Sequence, residues 1–488
     1  MATYLQGPQI DRAAPPFAPV NDLGVFVVVR LAFYVGYYAL NICFTAELFS
    51  VLLTLPVFII CCINIMRIKS RYATAQDMIW LVLYMFFVIE PCQSLRAGYF
   101  DNGGPVSGLY FEPSELVTAD LIVILFLAVA TITTFLAAAL LPERPREISF
   151  KLSHKQLPLL VSISALAFLL FVFSLGGLGN VLADRYSRIE PEGVVPIAAA
   201  FLALQAVACL LALVCMKSRP KNAADEWVAG AAWCALSLVL LLVAQNPFNT
   251  ARFMLLMAYA PIFLVLCSGR IGVLTFYVVA MIGLLLVMPI LNFSGRFGMS
   301  FGEAIEQINV SDNVLRVPYI EVFDMLAYEV RYLQTTGLYF GAKTLGIVLF
   351  FIPRAIWTGK ETLIAKDMGA ELVGLKSAGT DNLSLFFAGE FYADLGLIGV
   401  MIGAVAVALL LTIFGVQRKV TVNGLDLRSY LVTAAAPIVI RGPIAAAIPL
   451  LFMQMVFLAI FTRSLCQRIR PDRGRIASSP QRAAGRAT

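Results

Sequence analysis

Along most of the chain, apolar runs of about 20 residues alternate with short polar stretches, and each run is long enough to cross the hydrocarbon core of a bilayer. The pattern predicts spanning helices near 22–41, 46–66, 78–97, 116–141, 157–175, 194–216, 228–244, 253–268, 271–291, 385–413, 428–441 and 444–462. A tight connection near Asn41–Glu47 joins the first two. Only Arg441-Gly442-Pro443 separates the last two, and a Gly-Pro step beside a charge suits a turn at the membrane surface. The residues before the first span, with Asp11, Arg12, Pro15 and Pro16, lack the basic start and short apolar core of a cleaved signal. The first span is therefore expected to be a retained anchor.

Basic residues give the spans a direction. Arg67, Lys69 and Arg71 share one short loop, and Arg144, Arg146, Lys151 and Lys155 another. Lys217, Arg219 and Lys221 form a third, Arg418 and Lys419 a fourth. The tail adds Arg463, Arg468, Arg470, Arg473, Arg475, Arg482 and Arg486. Alternating spans put all of these on one side, which is then cytoplasmic. Both termini lie inside, and the span number is even, about twelve. The expected organisation is a cytoplasmic N-terminal segment (1–21), a transmembrane bundle of about nine spans (22–291), a large outer loop (292–384), C-terminal transmembrane helices (385–462) and a basic cytoplasmic tail (463–488).

The outer side carries different material. The loop near 98–115 is Gly-rich and acidic, with Asp101, Glu112 and Glu115, and the loop near 176–193 reads GGLGNVLADRYSRIEPEG. The largest loop is far longer than a connection requires. Within it, Pro318–Gly337 predicts an amphipathic helix, with Ile320, Phe323, Ala327 and Val330 on one face and Glu321, Asp324, Tyr328 and Arg331 on another. Pro318 opens that segment and Gly337 closes it. Leu345–Trp357 is too short to span and too apolar to float free, so it is expected at the interface or re-entering the membrane. No internal repeat is evident, which weighs against an inverted-repeat transporter.

Composition agrees with this reading and narrows the chemistry. With 60% hydrophobic and 14% charged residues and a mean hydropathy of +0.85, the chain has too little charge to cover a soluble surface. Its nine cysteines mostly lie inside apolar runs and show no metal-ligand spacing. Histidine occurs once, at His154 in a basic loop, where it is expected to be solvated. A His-rich metal cage is excluded, and no metal or other cofactor is expected. The Gly176-Gly177 and Gly179 cluster is a loop signal without the βαβ context of a nucleotide site.

Ionisable residues near membrane depth are functional candidates by default. On the outer side these are Arg252, Arg296, Arg354 and Arg441 at span ends, with Arg185 and Arg188 three apart on one presumed helical face. Guanidinium groups converging outside suit a diphosphate, whose oxygens match their planar donors two at a time. The plain alternative for each is snorkelling to headgroups or pairing with a loop carboxylate. Among the acids, Asp381, Glu390 and Asp394 lie where the large loop returns to the membrane, and Glu390 and Asp394 share a helical face. Glu90, before Pro91, ends the third span. A buried carboxylate there suits proton abstraction from a sugar hydroxyl, against the plain alternative of an ion pair.

NPFNTAR before a span, FIPRAIW followed by Gly359-Lys360, GEFYADLGLIGVMIGA and RGPIAAAIPL occur in that order over residues 245–460. Together they resemble the Wzy-type polymerases of bacterial O-antigen and exopolysaccharide repeat units. The resemblance implies an all-α, GT-C-like polytopic fold in the bacterial inner membrane, with a helical periplasmic loop. It implies a glycosyltransferase that moves a growing glycan from undecaprenyl diphosphate to the non-reducing end of a lipid-linked repeat unit. Undecaprenyl-diphosphate-linked oligosaccharides, membrane lipids and a chain-length regulator protein are the implied partners; no nucleic acid is expected. The motifs assign Arg252, Arg354 and Arg441 to the diphosphate and Glu390 to catalysis. Asp381 is a second candidate base, and Arg296 and Arg185 join the diphosphate set on charge and location. Two rivals stay open, an O-antigen-ligase-like transferase, which is expected to use an outer histidine, and a flippase or transporter of the same lipid-linked sugars.

Overall fold

The computed structural model describes residues 22–140, 148–183, 195–217, 224–247, 250, 252–267, 271–290, 293, 301–306, 308–317, 320–349, 352, 356–361, 363–376, 383–412, 420–442 and 444–469. Every apolar run expected to span is helical to within a few residues. The order begins α1 (Asp22–Phe44), α2 (Leu48–Met66), α3 (Ala75–Tyr84), a π-helical turn (Met85–Ile89) and α4 (Glu90–Ser94), then the hairpin β1 (Leu95–Arg96) and β2 (Tyr99–Phe100). It continues with α5 (Pro113–Leu140), β3 (Ile148–Lys151), α6 (Leu157–Ser174), α7 (Leu178–Leu182), α8 (Val195–Lys217), α9 (Ala224–Ala244), α10 (Arg252–Cys267) and α11 (Val273–Ile282). The long loop holds α12 (Phe301–Glu306), α13 (Val310–Leu315), α14 (Phe323–Thr336), α15 (Ala342–Val348) and α16 (Ile364–Lys376). The chain closes with α17 (Phe387–Thr412), β4 (Val420–Val422), β5 (Leu425–Asp426), α18 (Leu427–Arg441), α19 (Ile444–Ser464) and β6 (Gln467–Ile469).

Among the described residues, nine helices are long and apolar enough to cross a membrane. Val228–Ala244 and Met254–Cys267 are shorter apolar helices, and α18 has 15 residues. One core gathers α1 to α5, α14 and α17, with α17 lying along α5. A second gathers α6, α8, α10, α18 and α19. Two departures from regular helical geometry bear on the site. The π-turn precedes Glu90, and such turns mark points where a helix re-aims its side chains. In α17 the helix breaks after Asp394, where Gly396 takes φ 61° and ψ −146°, a region open only to glycine. The carbonyls of Ala393 and Asp394 are taken by the N–H groups of Tyr339 and Phe340, each at 2.9 Å.

Loops sort to two ends. At the basic end β3 runs parallel to β4 and antiparallel to β6, joining segments that lie hundreds of residues apart into one small sheet. Tyr72 bridges Gly272 in the same manner. At the opposite end the β1–β2 hairpin and the long loop close over α1, α4 and α5.

The structure corrects the expected amphipathic helix. It begins at Phe323 rather than Pro318, which lies outside the described residues, and ends as expected at Gly337, with φ 81°. Its polar face is not solvated, because α5 and α17 pack beside it, and Asp324 and Glu329 are as buried as Phe323 and Leu326. Arg331 reaches the edge, where it holds both oxygens of Glu115, at 2.9 and 2.6 Å, and stacks over Phe111. Among the described residues of the Leu345–Trp357 piece the helix ends at Val348, and Leu345, Val348 and Ile356 are exposed. His154 is also not the solvated residue expected: both ring nitrogens are shielded from solvent.

Candidate functional site

A concavity lies at the loop end, where α4 meets the long loop. It has a volume of about 430 Å³, and its walls carry Glu90, Ser94, Asn102, Asp312, Arg316 and Glu321 among others. Gln93 fixes one wall. Its amide nitrogen donates to Asn41 Oδ1 at 2.7 Å and to the Val314 carbonyl at 3.1 Å, and its oxygen accepts from Val317 N at 2.8 Å. Tyr37 donates to the same Val314 carbonyl at 2.7 Å, and Asn313 to the Leu285 carbonyl at 2.8 Å. These bonds seat the loop segment on the span ends. Arg316 pairs with Asp101 across the rim.

At the floor, Glu90 is 2% exposed. One carboxylate oxygen accepts from Ser94 Oγ at 2.7 Å, while the other has no partner among the described residues. Asp324 on α14 comes beside it, accepting from Asn102 Nδ2 at 2.9 Å and from Met325 N at 2.6 Å. Burial first, and then the Glu321 carboxylate, push the Asp324 carboxyl up to about 7, against the opposing pull of Asn102, the Met325 N–H and Arg441. Arg441, ending α18, lies 3.6 Å from Glu321, and its Nε is buried with no partner among the described residues. Its backbone carbonyl accepts from Leu385 N at 2.9 Å, tying α18 to the start of α17. Three carboxylates and one guanidinium thus come together, with Glu90 and Asp324 buried and Glu321 and Arg441 partly exposed.

A second polar cluster lies on the other side of α14. Glu390 and Glu329 are both buried without hydrogen-bond partners among the described residues. Glu329 presses on Gly389, where a Cβ would collide with its carboxylate. Burial, and then the Glu390 charge, hold the Glu329 carboxyl well above the usual range. Lys343 pairs with Glu361 at 3.2 Å and Asp367 at 2.5 Å. Burial pulls its ammonium pKa down, but the two carboxylates outweigh burial and the net direction is up. Asp394 caps α15, accepting from Lys343 N at 3.1 Å and Thr344 N at 2.6 Å.

Of the residues singled out in the sequence, Glu90 lines the cavity, and Arg441 adjoins it through its pairing with Glu321. Glu390 is buried but belongs to the second cluster, and its neighbour Asp394 serves as a helix cap. Arg252 opens α10. Asp381, Arg185, Arg188, Arg296 and Arg354 lie outside the described residues. Sequence reasoning placed Glu321 and Asp324 on a polar face of an amphipathic helix and gave no role to Asn102, Gln93, Glu329 or Lys343. The partners of these groups lie up to 224 positions away, so no local spacing betrays them.

Fold and site together define a helical multi-pass membrane protein with a polar chamber at one end of its bundle. Comparison with protein families, with curated proteins and with solved structures gives no match.

Proposed function

We propose that this protein is a membrane-embedded glycosyltransferase that polymerises lipid-linked oligosaccharide repeat units, with twelve spans, both termini cytoplasmic and the chamber facing the periplasm. The observation that carries the reading is the grouping of Arg441, Glu321, Asp324 and Glu90 where the span ends meet the long loop. In the proposed reaction the acceptor hydroxyl attacks the anomeric carbon of the growing glycan. The bond to the undecaprenyl diphosphate oxygen breaks, and the hydroxyl proton passes to a chamber carboxylate. Asp324 is the better base, because its pKa of about 7 lies near operating pH. The base role moves there from Glu390, whose carboxylate lies beside Lys343 and Glu329 and does not line the chamber. Arg441, with an unpartnered Nε, is the donor for charge developing on the diphosphate, and Arg252, Arg296, Arg354 and Arg185 remain proposed contributors. The loop excludes water that would otherwise hydrolyse the donor.

A ligase reading draws less support, since the single histidine sits at the start of α6, at the basic end rather than in the chamber. The test is glycan profiling in a deletion strain complemented with Arg441→Ala or Asp324→Asn. Variants that insert normally are expected to leave single repeat units capped onto the acceptor. Full-length polymer from both would remove the proposed roles.

A further inference from the structure

The chamber's charge balance specifies its occupant more narrowly than polymerisation does. Glu90, Asp101, Asp312 and Glu321 face it, and Asp324 adjoins them at Gly104. Two guanidinium groups of the described residues oppose these five acids: Arg316 pairs with Asp101, and Arg441 meets Glu321 through Nη2, leaving its buried Nε without a partner among the described residues. Among the lining groups, the free oxygen of Glu90 remains without a partner, Asp312 stands exposed at the rim, and Gln93, Ser94, Asn102 and Asn313 line the wall with side chains bonded within the protein. Glu90 supplies an observation independent of the acidic cluster itself. It is a carboxylate 2% exposed, on the chamber wall, with an oxygen that nothing in the described chain satisfies. A buried acceptor without a donor is costly, and a ligand hydroxyl or ammonium relieves it.

Carboxylates and amides arranged in this way bind hydroxyl and ammonium groups, and a further anion among them meets repulsion that water screens poorly. The volume of about 430 Å³ falls within the range of small-molecule sites. The same acidity argues that a diphosphate lies beyond the chamber, on the far side of Arg441, and that the chamber itself holds sugar. We infer that this chamber is the acceptor subsite, which takes a neutral or amine-bearing terminal sugar and rejects one carrying a carboxylate. The inference rests on the glycosyltransferase reading for the word acceptor; the preference for uncharged or cationic sugar rests on the chamber alone.

The experiment uses purified full-length protein in nanodiscs and three soluble probes: methyl glucosaminide with a free amine, methyl glucoside and methyl glucuronide. Saturation-transfer NMR ranks their binding without any need for turnover. The amine is expected to bind best and the uronide worst, with the two about tenfold apart. Asp312→Lys, a change at an exposed rim position, is expected to narrow or invert that order, and Glu321→Gln to weaken the amine. Uronide binding equal to or stronger than that of the amine overturns the inference, as does saturation transfer to none of the three. A ranking unmoved in both variants overturns it too, because the sugars then bind elsewhere. Loss of polymer in a deletion strain bears on the polymerase reading alone, so the two ideas fail separately.

Discussion

Two buried charge arrangements show how differently an ionisable residue behaves with and without a salt bridge. Arg30 and Asp77 form a closed network between α1 and α3. Arg30 Nε lies 2.7 Å from Asp77 Oδ1, its Nη1 donates to the Ser70 carbonyl at 2.8 Å, and Tyr277 donates to Asp77 at 3.2 Å. Asp77 also completes the capping box of α3 with Thr74. Removing one charge strands the other, so Arg30→Ala is expected to cost about 3–5 kcal/mol. Arg30→Met combined with Asp77→Asn, which keeps the cap, is expected to cost less than the sum of the single changes. Thermal unfolding of the four proteins in detergent checks this, and strict additivity would mean that the pair is not coupled. Asp324 is the opposite case. Its carboxyl rises from the usual acid range to about 7, so between roughly pH 4 and 7 the folded state holds a proton that the unfolded state has lost. Stability from this group is therefore present at low pH and falls as pH rises through that window. The melting temperature of Asp324→Asn, relative to the unaltered protein, is expected to climb between pH 4 and 8, and a constant offset would place the titration elsewhere.

At the scale of elements, α17 joins chamber, second cluster and loop, and its glycines have separate reasons. Gly396 supplies the break that frees two carbonyls for Tyr339 and Phe340. Gly389 lies within regular helix, where alanine is normally better by about 1 kcal/mol. Here the Glu329 carboxylate occupies the space of a Cβ, so Gly389→Ala is expected to destabilise by about 1–3 kcal/mol against that propensity. Glu329→Ala in the same chain should recover much of the loss, and melting curves that fail to show the recovery would remove the contact as the cause. These close approaches explain what was legible in the sequence and what was not. The helices themselves were readable because each apolar run has the length of a span, and the turn at Gly442 followed from its Gly-Pro step. The burial of α14 was hidden, since its own pattern shows one apolar face and the cover over the other comes from α5 and α17. Glu90 was visible through its place beside Pro91 at a span end. Lys343 was not, because Glu361 and Asp367 meet it only after the loop has folded back.

At the scale of the whole molecule, contacts between distant loops carry the topology. Ile148 pairs with Val420, and Ser149 with Ile469, so connections separated by up to 320 residues share one sheet. The same segments are those rich in arginine and lysine, and the proposed orientation, which rests on the positive-inside rule, makes theirs the cytoplasmic side. Gln93, Asn102 and Arg331 in turn bind Val317, Asp324 and Glu115, gathering the acidic loops at the other end. A chain whose loops sort in this manner has an alternation that surface chemistry can test. Cys43 is exposed, so the background is Cys43→Ser. Single cysteines then replace Asp312 at the chamber rim, or Lys151 and Arg468 in the sheet. In intact cells a membrane-impermeant maleimide is expected to label position 312 alone, and after permeabilisation all three. Labelling of 312 and 468 together in intact cells would break the alternation, and with it the assignment of the chamber to the outer face. Labelling of 151 and 468 alone would invert the orientation while leaving the chamber, its acids and its sugar preference in place.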